Sequence, residues 1–168
     1  EDGESCEAAL GRLSEIGDIY ASCSARLNRS ICSELHKNIL ALSMQGGAIR
    51  VVTTNFDKKF ESAAGLVGCQ MRIYQAPALP MGDSFDGMGY LHGNVDRPED
   101  MVLTDSDFGK AYVSRGWASR FLVEMFSHYT VLFVGYSCDD MMVHYLALNF
   151  NRGSGEGFRL KQRWRGLA

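Results

Sequence analysis

The chain has 168 residues, 46% of them hydrophobic and 22% charged, with a formal net charge of −3. That is one domain's worth of chain, with enough apolar side chains for a core and no apolar run long enough to span a bilayer. The balance of charge gives no reason to expect nucleic acid or an anionic membrane as a partner. The five cysteines (Cys6, Cys23, Cys32, Cys69 and Cys138) form no CxxC, which removes zinc ribbons and thioredoxin-like redox motifs and leaves reduced, cytoplasmic thiols as the expectation.

Residues 1–48 read as a helical segment. Leu10, Leu13, Ile16 and Ile19, then Ile31, Leu35, Ile39 and Leu42, recur at helical spacing without an intervening proline, and Gly46–Gly47 closes the segment. Ile49–Val52 is a short β-branched run, expected as a buried strand. A polar turn, Thr53–Asp57, follows it, then a helix to about Ala64. Met71–Tyr74 is a second expected strand. Pro77, Pro80 and the glycines at 82, 87 and 89 mark a loop. Out of it a strand near 88–91 leads to His92–Gly93. Thr104 and Asp107 have the spacing of a helix N-cap box. Ala118, Phe121, Leu122, Met125 and Phe126 then fall on one helix face. Val131–Val134 is a continuous apolar run, expected as a parallel strand covered on both faces. It breaks at Gly135, and a helix is expected from Asp140 to Asn149.

Strands alternating with helices imply an α/β fold with a doubly wound parallel sheet, its core at residues 49–150. Residues 1–150 carry 12 Lys and Arg against 19 Asp and Glu, whereas residues 151–168 carry five basic residues against Glu156. This basic tail reads as solvated and disordered.

In open α/β sheets, ligands bind beyond the carboxyl ends of the strands. Three polar motifs stand at such ends: Thr53-Thr54-Asn55-Phe56-Asp57, His92-Gly93-Asn94, and Gly135-Tyr136-Ser137-Cys138-Asp139-Asp140. Each alone is ordinary. An Asn-x-Asp after a strand is most often a helix cap, and a His-Gly is most often a turn. Their order and shared position carry the signal. The third motif is not a hydrolase nucleophile elbow, because Asp139 stands where that motif needs glycine and no suitable histidine follows. The glycines at 153, 155 and 157 follow a helix rather than a strand, so they do not form a phosphate loop.

Taken together, VVTTNFD (51–57), YLHGNVDRPEDMVLTDSDF (90–108) and VLFVGYSCDD (131–140) resemble the sirtuin-like domain family. They are closest to its bacterial branch in antiphage defence proteins that degrade NAD. The resemblance covers about residues 36–150. It implies a Rossmann-like fold and NAD as substrate, and assigns a role to each matching residue. Asn55 stands beside the nicotinamide ribose, Asp57 holds the carboxamide, and His92 is the catalytic histidine. Gly135 and Ser137 cradle the ribose-phosphate part, and Thr54 joins Asn55 and Asp57 among the NAD-binding residues. At least one of Asp139 and Asp140 is expected to cap a helix.

The residue types suit the chemistry. Breaking the bond from ribose to nicotinamide builds oxocarbenium-like charge on the sugar, while nicotinamide leaves neutral and needs orientation more than acid. A histidine can take a proton from water or a ribose hydroxyl. Two departures qualify the resemblance. Family members open with a strand and a GAGxS-type turn, and nothing before Ile49 supplies either, so the sheet is expected to lack its first strand and the isolated chain to be inactive. Lysine deacylases of the family carry paired CxxC motifs, and residues 93–137 contain no cysteine. No zinc is therefore expected, and NAD hydrolysis to ADP-ribose is favoured over deacylation. The alternatives are an NAD- or ADP-ribose-sensing module without turnover, or an inactive fragment. Other domains of a larger protein, or a second copy of the chain, are the remaining partners in view.

Overall fold

Ser5, Ser33 and Thr104 stand at the starts of three helices of this chain, and the computed structural model describes residues 4–27, 31–81 and 84–135. Helix α1 (Cys6–Ser14) begins at Ser5, whose hydroxyl accepts a hydrogen bond from the Ala8 N–H at 3.1 Å. Helices α2 (Ile19–Leu27) and α3 (Glu34–Met44) complete the helical segment. The expected apolar stripe only partly faces inward. Ile19 is buried against Met101 and Leu103, and Leu10 packs beside it. Ile16 and Ile31 are 83% and 88% exposed, and Leu13, Leu35 and Leu42 are exposed as well. In α3 the fully buried residue is Leu40. At about 100° per residue, Ile39, Leu40 and Leu42 point in three directions, and contact with Val51, Ala63 and Ala64 selects Leu40.

Strands β1 (Arg50–Thr53), β2 (Ile73–Gln75) and β3 (Gly87–Tyr90) form a parallel sheet in the order β1-β3-β2. Helix α4 (Lys59–Leu66) crosses from β1 to β2. Successive strand residues point to opposite faces. Val51 therefore meets α3 and α4 on one side, while Val52 packs into the larger cluster on the other. Helices on both faces of a parallel sheet make the fold α/β and Rossmann-like, as its alternating elements imply.

The strand expected near 88–91 is present as β3, but it starts at Gly87. Gly87 and Gly89, read as loop glycines, therefore belong to the central strand, and all four of its residues are buried. Gly87 has φ 144°, and a Cβ there would run into the Arg72 backbone carbonyl. Beside Gly89, the space a side chain would fill is bounded by the rings of Phe85 and Phe121. Glycine here lets neighbouring backbone and rings close in.

Helix α5 (Asp105–Phe108) has the cap the sequence implies: Asp107 N–H donates to Thr104 Oγ1 at 3.2 Å, and Thr104 N–H to Asp107 Oδ2 at 3.1 Å. The Tyr20 hydroxyl also donates to Asp107 Oδ2, at 2.6 Å, and ties α2 to this cap. Burial works against the Asp107 charge, but the hydrogen bonds from Tyr20, Thr104 and Leu103 outweigh it and hold its pKa below the usual aspartate value. A depressed folded pKa stabilises the fold above the unfolded value, and that contribution is lost as pH falls through the folded one. Asp107→Asn is expected to cost about 1–3 kcal/mol at neutral pH. Its denaturation midpoint should also fall less than the parent's below about pH 4. A variant as acid-sensitive as the parent would remove Asp107 from that role.

A π-helical turn, Gly109–Ser114, continues α5 and hands over to α6 (Trp117–His128). The α6 face expected from spacing is the one observed: Ala118, Phe121, Leu122 and Met125 are buried, and Phe126 packs partly against them. Val131–Val134 departs from expectation, because it has no strand partner among the described residues. Val131 and Phe133 pack on the core, but Leu132 is 71% and Val134 42% exposed. Among the described residues the run is covered on one side only; an apolar run reveals affinity for a core but not which neighbour supplies the ladder. The expected helix at 140–149 and the tail at 151–168 lie outside the described residues. No helix of the described residues is long and apolar enough to cross a membrane, and among them no group of three His, Cys, Asp or Glu side chains is placed to hold a metal.

Candidate functional site

Parallel pairing of β1 with the central strand puts two of the three polar motifs side by side. Thr53 aligns with Tyr90, and its carbonyl accepts the Leu91 N–H at 2.9 Å, the last rung before both chains turn. Thr53 Oγ1 then accepts the Asn55 N–H at 3.1 Å, a side-chain turn that swings the backbone off the sheet. The Phe56 carbonyl accepts the Val95 N–H at 3.1 Å, so the two turns stay joined beyond the strands.

Charged side chains fasten the same junction. Lys58 Nζ donates to Asp96 Oδ2 at 2.7 Å and lies 3.7 Å from Glu61. The bond to Asp96, helped by Glu61, raises the Lys58 pKa against the opposing effect of burial. The buried Tyr90 hydroxyl donates to Glu61 at 3.0 Å. Burial first, then the Glu61 carboxylate, pushes the Tyr90 pKa far up, so this phenol keeps its proton.

The second turn is tight. Gly93 has φ 81° and its N–H reaches the Tyr90 carbonyl at 3.3 Å. Asn94 is 1% exposed and its side-chain oxygen accepts the Asp96 N–H at 2.9 Å. The Val102 N–H donates to the His92 carbonyl at 2.9 Å, which sews the turn to the segment entering α5.

His92 itself is enclosed, at 5% exposure. Its Nε2 is hydrogen bonded to the Tyr112 hydroxyl at 2.8 Å. Its ring stands edge-on to Phe108 and Tyr112, with centroids 5.1 and 5.8 Å away. The sequence placed His92 in a strand-end turn; the geometry adds that the imidazole is packed as well as polar.

The other residues singled out in the sequence fall as follows. Thr54 is half-buried and Asn55 exposed, both directly after β1. Asp57 Oδ1 accepts the Lys59 N–H at 3.1 Å, and its Oδ2 lies 3.5 Å from Lys59 Nζ, so this carboxylate serves the start of α4. Gly135 is exposed with φ 64°. Ser137, Asp139 and Asp140 lie outside the described residues. Two recesses, one against Thr104–Ser106 and α1 and one near Ala48 and Cys69, include neither Asn55 nor His92. Phe108 closes the 90–108 motif but was given no role and Tyr112 was not singled out, though a signal existed. They stand four residues apart after the Thr104 cap, and such residues share a helix face.

Two comparisons bear on this arrangement. A family model described as "SIR2-like domain" matches residues 49–164. The chain is also 35% identical over 136 residues to the uncharacterized protein y4cA of Sinorhizobium fredii. That match takes in 73% of this chain and 11% of the relative, so the chain spans about a tenth of the relative's length.

Proposed function

Because the chain belongs to the SIR2-like domain family, we propose that it carries the NAD-hydrolysing half-site of a larger defence-type protein, releasing nicotinamide and leaving ADP-ribose. NAD-related function follows from the family; hydrolysis is the finer step. The observation that carries it is the junction of the two turns, where the Leu91–Thr53 rung sets the Asn55 and His92 motifs side by side at the carboxyl edge of one parallel sheet. Ligands of open α/β sheets are held at that edge.

On this reading each group has a defined task. His92 takes the proton of the attacking water or of a ribose hydroxyl. Asn55 orients that oxygen without adding charge, and Thr54 and Asp57 hold the nicotinamide end. Gly135 and Ser137 receive the ribose-phosphate part, and the left-handed φ of 64° at Gly135 is a conformation glycine adopts readily. No protein acid is needed for the leaving group, which departs neutral. No zinc is invoked, and the length of the relative agrees with further domains in the same protein.

The test is nicotinamide release from NAD by the complete protein, followed chromatographically. Stoichiometric nicotinamide and ADP-ribose are expected. One observation favours a second reading, an NAD- or ADP-ribose-sensing module: the Asp57 carboxylate is already engaged by Lys59. A sensor would bind NAD in calorimetry yet release no nicotinamide, and that result would replace the hydrolase.

A further inference from the structure

We propose that Tyr112 is a positioning residue for His92, its hydroxyl fixing the orientation and tautomer of the imidazole; this role in turnover rests on the reading of His92 as the catalytic histidine. Tyr112 is 4% exposed, and a buried phenol hydroxyl is costly unless it is hydrogen bonded. Packing alone would be served as well by phenylalanine. The hydroxyl is directed at His92 Nε2, 2.8 Å away. A phenol donates better than it accepts and a neutral imidazole nitrogen accepts well, so a Tyr112 O–H donating to Nε2 favours the tautomer with its proton on Nδ1.

Tyr112 is itself held at three points. Its ring stacks on Phe108, with centroids 5.8 Å apart and planes within 5° of parallel. Its carbonyl accepts the Ser119 hydroxyl at 2.6 Å, which ties it to α6. Its backbone lies in the π turn, where the Arg115 and Gly116 N–H groups both reach the Lys110 carbonyl, at 3.0 and 3.2 Å. Short π-helical stretches are rare and recur at functional sites. Here the π turn carries a side chain whose hydroxyl is hydrogen bonded to the His92 ring nitrogen. Ring, carbonyl and backbone are thus all fixed, which holds the hydroxyl 2.8 Å from His92 Nε2.

The test compares Tyr112→Phe with Phe108→Leu. Imidazole 15N shifts of His92 in the 168-residue chain report the tautomer without any need for activity, with His92→Gln supplying the assignment. The parent is expected to show one tautomer. Tyr112→Phe should give shifts averaged between two, while Phe108→Leu, which thins the packing but keeps the hydroxyl, should leave one. Should Tyr112→Phe fail to fold, uniform 3-fluorotyrosine in the parent should still move the Nε2 signal. In the complete protein Tyr112→Phe should lower kcat for nicotinamide release on the order of 10–10²-fold, with KM for NAD within about twofold. Unchanged His92 shifts in Tyr112→Phe, the same averaging in Phe108→Leu, or an unchanged kcat would each overturn the proposal. A parent that releases no nicotinamide would sink the hydrolase reading, whereas the tautomer measurement would still decide whether Tyr112 positions His92.

Discussion

Replacing His92 by alanine is expected to lower nicotinamide release by the complete protein on the order of 10²–10⁴-fold, the usual contribution of a positioned general base. The alanine variant carries a second effect. His92 is 5% exposed and packs against Phe108 and Tyr112, so truncation opens a void and leaves the Tyr112 hydroxyl without this partner. Some loss of stability is expected, and a slow variant could be a poorly folded one. His92→Gln separates the two. Glutamine fills much of the ring volume and still offers Tyr112 a polar partner, but it cannot exchange a proton near neutral pH. A folded His92→Gln that hydrolyses NAD at the parental rate would make His92 a packed turn residue and remove it from the chemistry. Asn55 offers a cleaner contrast, since it is exposed and its side chain supports little of the core.

Much of the architecture is legible in the sequence because it is local. The Thr104–Asp107 box and the Phe121, Leu122 and Met125 face of α6 depend on residues within two turns of one another, and both stand as their spacing implies. What was not legible depends on partners far away in the chain. The strand near 88–91 was legible, but nothing near Gly87 and Gly89 announces that it is the central one. Their place is set by Arg72 on one side and by Phe85 and Phe121 over the sheet. Val131–Val134 has the composition of a doubly covered strand, yet its cover is one-sided among the described residues. In the candidate site the motifs were visible as strand-end turns, because polar runs after β-branched ones are a sequence property. The enclosure of His92 was not, because it is made by a helix sixteen to twenty residues further on that must fold back over the turn.

Gly93→Ala is the substitution expected to damage fold and site together. The residue adopts φ 81°, where an L side chain is disfavoured by about 1–2 kcal/mol. A Cβ there would stand 2.7 Å from the Asp100 carbonyl oxygen and 3.1 Å from the Met101 Cα. Both are backbone atoms, so no side chain can rotate out of the way, and the segment leading to α5 must shift. Overpacking of that kind adds about 1–3 kcal/mol, for a combined cost of about 2–5 kcal/mol, a large share of a domain's stability. The damage would also reach the site. The Val102 N–H holds the His92 carbonyl at 2.9 Å, and Val102 lies two residues beyond the Asp100 carbonyl that the new methyl would displace. Moving that segment moves His92 relative to the first turn. A denaturation midpoint well below the parent's is therefore expected, with reduced nicotinamide release even where the variant is fully folded. Parental stability would mean that the Asp100 segment yields freely, and the tight turn would then not be what fixes His92.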